Sequence, residues 1–240
     1  MSNEPGFHNR QVVLASTICN LFYNIGPSTY DEIAPKIEYW IEYALTERFA
    51  TIDDLVERVS SVAWNSVGSH PHISRFLREF RDAPHRSQQA RSFVDGLCLY
   101  VLRWFSVASA DNLRLNWYSG SVSKSGGYGF IRVASFVGNL IQRGLLDRQP
   151  VRQHLSKPLT THHYCNVNDD DTVKRAIRAN AIYKLFTSAG NTLLQGLLEP
   201  EDVQLCFERL ESRISLGEIA GLYMFGVGEL NVRFVPRLNV

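Results

Sequence analysis

Arginine carries most of the chemistry this chain offers. Arg75, Arg78 and Arg81 recur at every third position, so on a helix they lie along one face, and Arg86 and Arg91 follow closely. Arg143, Arg148, Arg152 and Lys157 crowd a second helix boundary. Guanidinium groups gathered in space bind phosphate through bidentate, charge-assisted hydrogen bonds, which makes these residues the candidate RNA-binding set. Arg75 and Arg78 also lie within reach of Glu79, Asp82 or neighbouring helices, and pairing there would consume the same charges. Tyr118 and Tyr128 are the candidates for stacking on bases.

Other constellations lead less far. The stretch from Ser119 to Gly129 is rich in glycine and serine, but a phosphate-cradling loop needs Gly-Lys-Ser/Thr at its end, after a strand and before a helix. Lys124 precedes the glycines here, so a flexible connection is expected. His162, His163 and Cys165 with Asp169–Asp171 are metal-ligating types, yet adjacent histidines project apart and no second pair stands at finger-like spacing. His70-Pro71-His72 reads as the polar start of a helix. No Gly-x-Ser-x-Gly elbow and no local Cys/His signature is found. The expectation is a protein that is not an enzyme, with no cofactor and no metal.

At 240 residues the chain is long enough to bury a sizeable core without disulfides. A 45% hydrophobic and 20% charged composition excludes disordered, collagen-like and low-complexity classes. Cys19, Cys98, Cys165 and Cys206 are widely spaced, and no Asn-x-Ser/Thr sequon occurs, which favours a reducing intracellular setting. Residues 1–10 lack an apolar signal core, and Phe93–Phe105 is interrupted by Asp95 and Arg103, so no membrane association is expected. The net charge of +1 hides an asymmetry: residues 1–60 carry −5, residues 61–160 carry +8 and residues 161–240 carry −2. A basic centre between acidic ends fits either a polyanion or an acidic protein surface.

The elements that must position these residues are helical. Ile18, Leu21, Phe22 and Ile25 form one stripe; Ile33, Ile37, Trp40, Ile41 and Ala44 form a second, starting at Ser28 or Thr29 and stopping near Arg48. Thr51 caps a third through Ile52, Leu55, Val56, Val59, Val62 and Ala63, with Asp53 and Asp54 in its first turn. Phe93, Leu97, Cys98, Val101, Leu102 and Phe105 give another, and Tyr118–Gly129 is read as a loop. Phe130–Ile141 is a helix that ends at Arg143-Gly144, Asp147 caps its successor, and Gly190 closes a helix over Thr172–Thr187. Pro200–Ile214 is helical and Leu230–Val240 an irregular tail. Short helices with brief connections imply helix hairpins stacked side by side in one all-α solenoid domain spanning residues 1–240.

In order along the chain, several segments resemble the middle domain of eukaryotic translation initiation factor 4 gamma. Ile25–Ile33 (IGPSTYDEI) is similar to that family's apolar-Thr-Pro-Glu-Asn-Phe-Asp-x-Leu, and Val62-Ala63 followed by His70–Ile73 resembles its Lys-Ala and Glu-Pro-x-Phe. Phe136–Leu146 (FVGNLIQRGLL) resembles its Phe-Ile-Gly-Glu-Leu and Gly-Met-Leu, with Asn139 in place of the usual glutamate. Leu185–Leu193 (LFTSAGNTL) resembles its Leu-Leu-Thr-Thr-Ile-Gly-Lys-x-Leu. The resemblance implies a HEAT-type solenoid of about five antiparallel helix pairs and a scaffold for RNA and a DEAD-box RNA helicase in translation or mRNA metabolism. Segments that would take the cap-binding or poly(A)-binding protein have no counterpart here, which implies a diverged, stand-alone relative. A monomer in the cytoplasm is expected, the nucleus being equally compatible. The other reading is a protein–protein adaptor that has lost RNA binding.

Overall fold

The computed structural model describes residues 5–109, 123–151, 181 and 184–190. Among them every regular element is a helix and no strand occurs. Helix α1 (Pro5–Asn24) fully buries Ile18 and Phe22, as their spacing requires, and Ile25 is buried in the turn that follows. That turn is fastened by Thr29, whose hydroxyl donates to the Asn24 carbonyl at 2.8 Å and accepts the Gly26 N–H at 2.9 Å. Helix α2 (Tyr30–Thr46) buries Ile33, Ile37, Ile41 and Ala44, while Trp40, expected in the same stripe, is half-buried.

Helix α2 stops where the sequence places its end. The Phe49 N–H bonds the Ala44 carbonyl at 3.0 Å and the Arg48 N–H bonds Leu45 at 3.3 Å, the paired bonds of a Schellman turn. Its left-handed position is held by Arg48, at φ 56°, where glycine would be less strained. Helix α3 (Ile52–Asn65) opens with a reciprocal capping box: the Asp54 N–H donates to the Thr51 hydroxyl at 3.1 Å and the Thr51 N–H to the Asp54 carboxylate at 3.3 Å. A 3₁₀ turn, Val67–Ser69, leads into helix α4 (His70–Asp82). His70 does begin this helix, but it is fully buried rather than facing solvent. Helix α5 (Gln88–Ser109) is capped by Ser87, whose hydroxyl accepts the Ala90 N–H at 3.1 Å.

Helix α6 (Ser123–Gln142) begins earlier than expected. Ser123–Gly129, read from sequence as loop, belongs to it, because glycine weakens a helix by about 1 kcal/mol per residue without forbidding it. Its predicted apolar stripe is buried at Val133, Ala134, Val137, Leu140 and Ile141, and Gly144 (φ +66°) ends it as predicted. Asp147 caps a helical start at residues 148–151, with the Gln149 N–H 3.0 Å from its carboxylate. Residues 184–189 are helical and Gly190 closes them at φ +65°. The expected helix over Pro200–Ile214 and the tail Leu230–Val240 lie outside the described residues.

The chain divides into two compact units, one running to Arg103 and including Arg143–Leu146, the other holding Trp104–Gln142 and the residues from Asp147 on. In the first, α1 packs against α2 and α3, and α4 packs against the same two helices. Phe22, Phe76 and Phe80 join these helices, with Phe22 edge-on to Phe76 at 5.6 Å and Phe76 stacked on Phe80 at 5.4 Å. Each such buried ring contributes about 2 kcal/mol by leaving water. Gly96 brings α5 alongside Val56 of α3. In the second unit Gly138 permits a closer approach: a Cβ there would stand 2.6 Å from the Leu185 carbonyl oxygen and 2.7 Å from the Ser188 Cβ. Nearby the Ser135 and Ser188 hydroxyls lie 3.1 Å apart, and buried Asn139 donates to the Ser135 carbonyl at 2.9 Å. No helix among the described residues is long and apolar enough to cross a membrane.

Candidate binding surface

Helix α4 displays the first arginine group because its opposite face is committed to the core. Ile73, Phe76, Leu77 and Phe80 are buried at i, i+3, i+4, i+7, which turns Arg75 and Arg78 outward and leaves Arg81 at the margin. The predicted shared face is therefore present. It is already occupied by the protein's own acceptors.

Arg75 donates to Glu79 at 2.8 Å and lays its guanidinium 4.0 Å over the Tyr30 ring, while the Tyr30 hydroxyl donates to the other Glu79 oxygen at 2.6 Å. Burial pushes the Tyr30 phenol well above its ordinary range, and Glu79 pushes it further. At Glu79 burial works against ionisation, but the hydrogen bonds from Tyr30 and Arg75 and the charge of Arg143 outweigh it and hold the carboxyl below its usual value. Arg78 pairs with Asp82 and reaches across to the Arg143 carbonyl at 2.9 Å and the Gly144 carbonyl at 3.4 Å. Arg81 shares Asp82 at 3.1 Å and approaches the Gly144 carbonyl at 3.5 Å. Asp82, like Glu79, is held low by its two arginines against an opposing burial effect.

Arg86 is a clamp rather than a surface cation. Its side chain is 11% exposed, bonded to Glu38, within 4.0 Å of Glu42 and 4.8 Å from the Phe80 ring. Arg91 is half-buried and points back to the Pro84 carbonyl at 3.5 Å. Arg143 is exposed beside α4, so the structure joins it to the first arginine group although the sequence set it in the second. Arg148 is exposed in the second unit, and Arg152 and Lys157 lie outside the described residues.

Four guanidiniums, Arg75, Arg78, Arg81 and Arg86, are thus met by four carboxylates, Glu79, Asp82, Glu38 and Glu42. Phosphate can exchange with an exposed ion pair worth under about 1 kcal/mol, but the displaced carboxylate stays in place and repels it. The attraction that drives nucleic-acid binding comes from net cationic charge, and on the α4 face Glu79 and Asp82 offset part of the charge of Arg75, Arg78, Arg81 and Arg143.

A second surface feature is aromatic. Tyr39, Trp40, Tyr43 and Phe49 gather at the C-terminal end of α2, with Tyr39 58% and Tyr43 37% exposed. The signal was available: Tyr39 and Tyr43 stand at i, i+4 opposite the Ile33, Ile37, Ile41 stripe. Tyr118 lies outside the described residues, and α6 includes Tyr128. Among the described residues no three His, Cys, Asp or Glu side chains gather as metal ligands, and the His162, His163, Cys165 and Asp169–Asp171 group lies outside them. Cys19 and Cys98 are free thiols; burial pushes Cys98 up to about 12 and makes it a poor nucleophile.

No known protein-family model matches the chain, nor does any curated protein or any solved structure.

Proposed function

We propose that this chain is a non-catalytic helical adaptor that holds a protein partner, and that the arginines of α4 and α5 serve its own architecture instead of RNA. The observation that carries this reading is the pairing of Arg75, Arg78, Arg81 and Arg86 with Glu79, Asp82, Glu38 and Glu42. A phosphate-binding face needs cations free to meet phosphate, and each of these is already paired with a carboxylate of the protein. A HEAT-type stack of about five antiparallel helix pairs is the architecture that accompanies the proposal. It is supported by α1 meeting α2 and α3 while α4 meets the same two, the contact pattern of two neighbouring helix pairs. The resemblance to the middle domain of initiation factor 4 gamma supports a DEAD-box RNA helicase as the partner, and the proposal places the chain as a monomer in the cytoplasm.

Size-exclusion chromatography of the full chain with a purified DEAD-box helicase core tests the partner. Co-elution is the expected result, and separate elution at micromolar concentration of both removes the helicase from the proposal. RNA is the second reading, favoured by exposed Arg143 beside α4 and by the +8 charge of residues 61–160.

A further inference from the structure

We draw no further inference here: the strongest candidate, the aromatic surface patch of Tyr39, Trp40, Tyr43 and Phe49 at the C-terminal end of α2, carries none because nothing in the structure shows what covers it, the nearby Glu32, Glu38 and Glu42 being already paired with Lys36 and Arg86.

Discussion

Glu79 takes hydrogen bonds from Tyr30 and Arg75, and Asp82 from Arg78 and Arg81, so both carboxyls ionise below their ordinary range in the folded chain. A carboxyl whose folded pKa lies under its unfolded value of about 4 stabilises the fold above that pH, and the contribution vanishes as pH falls through the folded value. Both groups are exposed, so each is worth roughly 0.5 kcal/mol after screening. Thermal unfolding is therefore expected to show a midpoint that drops between about pH 5 and pH 3, and a smaller drop in Glu79→Gln/Asp82→Asn. An equal drop in both proteins would assign the acid sensitivity elsewhere. Gly138 is a second residue whose role is decided by distance. A methyl group 2.6 Å from a backbone oxygen forces the two segments apart, and Gly138→Ala is expected to cost about 1–3 kcal/mol in denaturant unfolding. A neutral effect would mean that the contact with Leu185 and Ser188 yields easily. The pairs of Arg75 and Arg78 were legible in the sequence because their partners lie four residues on. Arg86 with Glu38 was not, since nothing in local spacing brings together residues 48 positions apart.

The helix boundaries show what local chemistry can and cannot announce. Thr51 with Asp54, Asp147, Gly144 and Gly190 act at the ends where the sequence placed them, because capping depends on one or two side chains and a backbone torsion. The start of α6 escaped notice, because glycine and serine signal a loop by raising the cost of helix, and that cost is overridden when the following turns are strongly apolar. Arg48 is the exception among the C-terminal turns. Holding a non-glycine residue at φ 56° costs about 1 kcal/mol, and Arg48→Gly is expected to stabilise the chain by about that amount in thermal unfolding. Loss of stability would show that the arginine side chain contributes more than its backbone strain costs. The aromatic end of α2 is hard to read for a related reason: apolar periodicity places Trp40 with the core stripe and carries no signal for the exposed face that bears Tyr39 and Tyr43.

Over the whole molecule, residues 61–160 carry the excess of basic charge along the sequence, yet the acids that pair with Arg75, Arg78, Arg81 and Arg86 lie on α4 itself or on α2. Linear charge is not surface charge once helices pack: Glu38 and Glu42, counted in the acidic first quarter, face Arg86 from the basic middle. The helical class was legible because apolar periodicity is a local property, whereas the partner is set by which side chains tertiary packing leaves uncompensated. That distinction separates an adaptor from an RNA-binding scaffold. Fluorescence anisotropy of the full chain with a short unstructured RNA, at low and at physiological ionic strength, measures it directly. The pairing around α4 predicts no saturable binding at either salt and no change on Arg75→Glu/Arg78→Glu/Arg81→Glu. Tight binding at low salt that falls steeply as salt rises, and is lost in that variant, would contradict it and make α4 a phosphate-binding face.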